Sequence, residues 1–368
     1  MEHGGSTVQF RIRVPIIIGL LIACCHAPAN AQINSGWFPH HAPLPPVEPC
    51  FDPRPIIGCY RDPGPCWLGQ TSFDVLMFSR SDADSRAIAN TRTSVDFGPP
   101  AGVVELLGAD VANTTDLGFP VTAAFRFNLV LPGENGCDLV FNYLGSHFDV
   151  SRTFDGATTG YPFFEFGLSP LDDSVYQTSY ESSLNSFELN SRFRHWSHVA
   201  PLVGVRLIQL DDTLSQLSAD ATSQLDSTKA TNQLWGFQLG AEALLWDGGS
   251  VRLQTTVKSG VFYNNLDLTV VGSDVSKTNS ITMVTTTIDP DASFSTGHIS
   301  YFGEMNLELA YRVGPHWAIR VGYAAMWMDG VALAPDQFDS FHLQSGVGTF
   351  NYGTVLYHGS YVGLEATW

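Results

Sequence analysis

A chain of 368 residues with a formal net charge of −18, 44% hydrophobic and only 15% charged side chains is short of charge without being continuously apolar; soluble domains usually carry about 25% charge. Lysine occurs only at Lys229, Lys258 and Lys277, which excludes a nucleic-acid partner, whose phosphates need basic patches. The one long apolar run lies near the N-terminus, so a polytopic helical membrane protein is excluded too.

In chain order, residues 1–31 read as a signal peptide. Arg11 and Arg13 precede the apolar run Val14–Ala23, and Ala29-Asn30-Ala31 supplies small residues for cleavage between Ala31 and Gln32. Leu21-Ile22-Ala23-Cys24 resembles a lipobox and leaves lipidation at Cys24 as the alternative. Both readings predict export. Residues 32–65 form a predicted periplasmic leader: nine prolines between Pro39 and Pro65 remove too many N–H donors for a central strand or helix. After cleavage Cys50, Cys59, Cys66 and Cys137 remain, a set that permits three pairings in a disulfide-permissive compartment.

From residue 66 to 368 the helical period gives way to period two. In Tyr301–Val313 the odd positions carry Tyr301, Met305, Leu307, Leu309, Tyr311 and Val313, and the even ones Glu304, Asn306, Glu308 and Arg312. Ten such segments fall near 68–79, 118–131, 137–149, 180–194, 200–210, 232–246, 251–270, 300–313, 317–329 and 353–368. Short turns such as Asp247-Gly248-Gly249-Ser250 and Gly314-Pro315-His316 alternate with long connections. That layout predicts an all-β fold, a transmembrane antiparallel up-and-down β-barrel of about ten strands with both ends on the short-turn side. Ala101–Leu107 offers an extra hairpin arm and a twelve-strand alternative.

If the apolar set faces lipid, the opposite residues point into the lumen. They are the bases Arg126, Arg192, Arg194, Arg206, Arg252, Lys258, Arg312 and Arg320 and the acids Asp74, Asp138, Glu188, Glu242, Glu304, Glu308 and Glu365. Eight bases against seven acids predict ion pairs across a narrow or plugged lumen, because unpaired charges there are costly. An open channel would favour one sign at a constriction. The surplus acid of the chain then lies in the long connections.

Trp196, Trp235, Trp317, Trp327 and Trp368 are the predicted aromatic girdles. Trp317 and Trp327 lie ten residues apart on one face, which at ~3.3 Å per residue and a tilt near 45° projects to roughly 24 Å, close to the apolar thickness such barrels present. The ending Val362, Leu364, Ala366, Trp368 is similar to the C-terminal signature of outer-membrane barrels that their assembly machinery reads. The implied partners are outer-membrane lipid and that machinery, with no nucleic acid; a surface ligand is not named by the sequence. Cys66 before the first segment and Cys137 after a short turn fall on the same rim, and Cys137 is expected to pair with a leader cysteine, Cys66 first.

Leu202-Val203-Gly204-Val205-Arg206 running into Leu210-Asp211-Asp212-Thr213-Leu214, the stretch Asn232–Ala241, and Glu304-Met305-Asn306-Leu307 followed by Tyr311-Arg312-Val313 and Arg320-Val321-Gly322-Tyr323 resemble the strands of the planctomycete beta-barrel porin family of type seven. The match is best over residues 186–368 and looser over 66–150. The resemblance implies a bacterial outer-membrane location and a porin-like barrel.

Catalysis finds little support, and the sequence predicts no enzyme, cofactor or metal. Asp211-Asp212 and Asp172-Asp173 are carboxylate pairs near loop ends, but no histidine shares a local motif with either, and Asp pairs are common turn formers. A loop-rim hydrolase is the remote alternative. His195 and His198 supply two ligands where zinc needs more, no D-x-D-x-D-G calcium loop occurs, and no phosphate loop or nucleophile elbow is present. The expected function is a structural or surface-interaction role for a narrow or plugged barrel, with passage of small solutes or ions as the alternative.

Overall fold

The computed structural model describes residues 68–81, 87–96, 103–133, 136–155, 161–162, 175–194, 198–218, 225–271, 275–278, 285–288, 292–337, 341–342, 347–348 and 350–368. The signal sequence with its Ala31/Gln32 junction, the Pro-rich leader, Cys66, Trp196 and Asp172-Asp173 lie outside the described residues.

Ten strands close into one antiparallel barrel. They are β1 (Gln70–Arg80), β2 (Thr122–Pro132), β3 (Cys137–Asp155), β4 (Val175–Phe193), β5 (Val199–Ser218), β6 (Leu225–Asp247), β7 (Val251–Val271), β8 (Ala292–Arg312), β9 (Trp317–Val331) and β10 (Gly353–Thr367). Each pairs with its sequence neighbours, and β1 closes the ring on β10 from Gln70↔Thr367 to Arg80↔Tyr357. Closure removes the sheet edges that lipid could not hydrogen-bond. The alternation is clean: β1 buries Ser72, Asp74, Leu76, Phe78 and Arg80 and turns Phe73, Val75 and Met77 outward.

The register fixes the geometry. Starting at Ile299 in β8, the row of paired residues runs through Tyr263, Trp235, Leu207, Phe187, Tyr143, Phe127, Phe73, Leu364 and Ile319, and returns to β8 at Tyr311. The stagger around the barrel is therefore twelve residues (311 − 299). Over ten strands about 4.8 Å apart, at about 3.3 Å per residue, this gives a tilt of about 40°, within the usual range for closed barrels.

Strand lengths are uneven: β1 and β2 have 11 residues, whereas β6 has 23. The upper ends of β4–β7 turn Ser179, Asp211, Lys229 and Asp267 outward, so this side of the wall continues beyond the apolar belt. The expected arm exists, as Ala87–Asp96 pairs with Val103–Asn113, but with Tyr161–Pro162 it forms a separate three-stranded sheet. The barrel count is ten, and the twelve-strand alternative is set aside.

Candidate functional site

The lumen is where inward side chains of all ten strands converge, and it has two halves of opposite chemistry. The half next to the short turns is ionic. Arg192 bonds Asp138 at 2.7 Å and Glu242 at 3.3 Å, while Arg194 reaches Asp138 at 2.9 Å. Lys258 meets Glu188 at 2.5 Å and Glu304 at 3.5 Å; Arg206 meets Glu304 at 2.5 Å and Glu188 at 3.6 Å. Glu188 belongs to β4 and Lys258 to β7, so this cluster crosses the interior.

A third cluster joins Arg126 to Asp74 at 2.8 Å, Arg252 to Glu365 at 3.0 Å and to Glu308 at 3.7 Å, and Arg320 to Glu308. Tyr361 donates its hydroxyl to Glu308, and the Arg126 guanidinium stacks 4.2 Å from the Tyr361 ring. Seven cations thus face seven anions. Arg312 stands apart, half-buried beside the β8–β9 turn, with no ion pair among the described residues.

Toward the long connections the same strands turn apolar. Leu76, Phe78, Phe148, Leu184, Leu210, Phe262, Phe302, Met328 and Tyr357 form one buried cluster that fills the lumen. Among the described residues it holds a single ion pair, Arg80–Asp212 at 2.9 Å, both side chains fully buried. Three rings, Phe119, Tyr180 and Tyr357, pack around the guanidinium at 5.0–5.9 Å. Asp212 also accepts hydrogen bonds from the Tyr180 hydroxyl at 2.7 Å and the Ala334 amide at 3.0 Å.

Two connecting segments complete this half. Leu117 and Phe119 enter just before β2, with Phe119 packed 4.5 Å from Tyr180. At the end of β9 the chain turns inward at Gly330, whose φ of +76° favours glycine, and Val331–Gln337 is buried throughout, ending in the 3-10 turn Ala334–Gln337. Buried backbone groups need partners, and wall side chains provide them. Asn232 donates to the Ala332 carbonyl and accepts from its amide, both at 2.8 Å; Ser300 donates to the Gly330 carbonyl at 2.6 Å; Asn264 donates to Asn232 at 2.9 Å. The segment is a stopper, held by polar groups on β5 to β8.

On the outer face Trp317, Trp327 and Trp368 are exposed, and Trp235 is half-buried against Tyr263 with ring centroids 5.4 Å apart. Trp246 is exposed as well, although its even number belongs to the inward set of β6. A register shift opposite Leu253/Gln254 turns both Leu245 and Trp246 outward, which breaks the period that sequence reasoning relies on. Cys137 is disulfide-bonded, and every other cysteine of the chain precedes residue 67.

Asp211 and Asp212 are not a carboxylate pair in a solvated turn. They are consecutive in β5 and therefore point to opposite faces: Asp212 goes to the core, and Asp211 bonds Gln209 and Thr231 at 2.8 Å on the outer side. Asp212, Arg80 and the stopper were missed by sequence reasoning. Asp212 occupies an even position of β5 like Arg206, and that parity was the available signal.

A closed barrel with an apolar outer belt and alternating inward and outward residues defines the class: an outer-membrane-type β-barrel. The chain belongs to the family described as "Putative beta barrel porin-7", whose model matches residues 72–351. None of the curated proteins matches the chain. Among solved structures it is similar to the outer membrane protease OmpT from Escherichia coli, at 8% identity and a TM-score of 0.39, over 82% of this chain and 96% of that one. A FadL homologue from Pseudomonas aeruginosa aligns at 13% identity and a TM-score of 0.30, over 82% and 89%. An anion-selective porin from Comamonas acidovorans aligns at 9% identity and a TM-score of 0.18, over 81% and 99%.

Proposed function

We propose that this protein is a closed barrel of the bacterial outer membrane with a structural or surface-interaction role, carried by its long acidic connections, and not a diffusion pore. The observation that supports this most strongly is the apolar half of the lumen, where the stopper Val331–Gln337 is buried and bonded to side chains of the wall. Ions crossing it would shed water against aromatic and aliphatic side chains, the most costly place to put a charge. Outer-membrane lipid is the partner that the outward belt requires, and the C-terminal strand is the segment that the assembly machinery would read. The division of Asp211 from Asp212 weighs against a hydrolase built on that pair.

The test is single-channel conductance of detergent-folded protein inserted in a planar bilayer, with the double variant Glu304→Gln/Glu308→Gln alongside. Silence from folded, inserted protein is expected. A steady conductance that changes in the double variant would replace this reading with a narrow porin, the alternative favoured by the family's description.

A further inference from the structure

On the outer face of the belt, Thr71 and Thr255 donate to the Asn128 and Asn306 carbonyls of neighbouring strands at 3.0 Å, and Ser259 donates to the Phe302 carbonyl at 3.2 Å. These hydroxyls are tied back to the wall. The seam formed by β9, β10 and β1 differs. Ser360 in β10 is exposed, and its hydroxyl has no hydrogen bond among the described residues. Its cross-strand neighbours are Tyr323 and Met77, 49% and 66% exposed, and Val362 follows it on the same face at 53%. Ser360 is not at the rim of the belt. Leu356 pairs with the girdle residue Trp327, and Ser360 lies four residues further along β10, about 10 Å deeper at ~3.3 Å per residue and a tilt of about 40°.

Beside it on the same face stands His358, between Ala325 and Ser79 of the flanking strands. Its Nδ1 shares a 2.7 Å hydrogen bond with the Tyr323 hydroxyl. That leaves Nε2, a donor or an acceptor according to tautomer, with no partner among the described residues. Lipid tails offer none, and an unmatched polar group in hydrocarbon is costly. Between spanning segments, small residues let backbones approach and polar side chains bond across the contact. Ala325, Ser79 and Ser360 supply the small positions here, set between the larger Trp327, Tyr323 and Met77.

The patch is complementary to itself. A hydroxyl both donates and accepts, so Ser360 meets Nε2 in either tautomer. Two copies related by a two-fold axis along the membrane normal present the same residues at the same depth. His358 and Ser360, two residues apart, differ by only about 5 Å in depth, which an imidazole spans. An unrelated partner would have to match both the depth and the pairing. We infer that the outward seam of β9, β10 and β1 is the contact between two copies of this chain in the membrane, with Ser360 of each bonded to His358 of the other. The inference rests on the reading of the outer belt as lipid-facing.

Sedimentation equilibrium of the detergent-folded full chain in a density-matched detergent is expected to show a monomer–dimer equilibrium. Ser360→Ala and His358→Leu should each weaken it about fivefold or more, whereas Thr255→Val, which removes a hydroxyl already bonded to the wall, leaves it unchanged. Heat-modifiable gel mobility verifies that each variant is folded, and Ser360→Ala, which removes a single oxygen, keeps the test open if His358→Leu does not fold. A monomer at every concentration, or a dimer as strong in Ser360→Ala as in the wild type, would overturn the inference and leave the seam to lipid or to a different protein. Quenching of tryptophan fluorescence by brominated lipid reads the belt separately. Strong quenching of a monomer sinks this inference alone; absence of quenching overturns it together with the membrane reading beneath it.

Discussion

The two halves of the lumen are built by the same strands, and within single strands the chemistry changes in a few residues. In β5 inward Arg206 is followed by Ile208 and Leu210; in β1 Asp74 is followed by Leu76 and Phe78; in β8 Glu308, Asn306 and Glu304 lie below Phe302. What differs most is redundancy. In the ionic half nearly every charge has two partners, as Lys258 and Arg206 share both Glu188 and Glu304. In the apolar half Arg80 and Asp212 have each other, and a dry surround offers no replacement. The ionic half tolerates local loss. The apolar half excludes water, with each well-buried large side chain contributing about 1.5–3 kcal/mol.

The comparison breaks most visibly at Arg80. Arg80→Ala leaves Asp212 charged and buried with Tyr180 and one amide, and a buried pair broken on one side costs about 3–5 kcal/mol. Arg80→Met/Asp212→Leu removes both charges while keeping apolar volume, and it is expected to recover most of that loss. Urea unfolding of the detergent-folded barrel, followed by tryptophan fluorescence, checks both. If Arg80→Ala unfolds at the wild-type midpoint, the pair does not hold this half together.

How much of this was legible in the sequence follows from the same contrast. Period two exposed the strands, the outward belt and the inward charges near the short turns, because an apolar outer face and a charged inner one give the sharpest alternation a strand can carry. Near the long connections both faces blur: β5 turns Gln209, Asp211 and Thr213 outward and Ile208, Leu210 and Leu214 inward, so polarity is reversed relative to the belt. The long connection after β9 hid the stopper, since Val331-Ala332-Leu333-Ala334 has no period of its own. Its burial depends on Asn232, Asp212 and Ser300, which are remote in sequence.

A second effect, of comparable size, is expected where the stopper meets the wall. Asn232→Leu removes a donor and an acceptor from Ala332, leaving a buried amide and carbonyl unmatched at about 1–3 kcal/mol each. Asn232→Asp keeps the acceptor but sets a buried carboxylate oxygen against the Ala332 carbonyl, and it should cost at least as much. Limited proteolysis with mass mapping reads the segment directly. Cleavage within 331–337 should rise in the leucine variant, and equal protection in both would mean that packing alone retains the stopper.

The smallest effect is predicted in the ionic half, and it sharpens the comparison because the substituted side chain is itself largely buried. Glu304→Gln preserves shape and removes the anion between Lys258 and Arg206, yet both cations retain Glu188, at 2.5 and 3.6 Å, and Arg206 keeps its hydrogen bond to Ser186 at 2.7 Å. The loss is then that of one charge-assisted hydrogen bond, about 1.5 kcal/mol, against the 3–5 kcal/mol expected for the isolated pair. The same unfolding titration places the two on one scale. A Glu304→Gln loss as large as that of Arg80→Ala would mean that the shared partners do not compensate, and that the ionic half is held as tightly by single contacts as the apolar one.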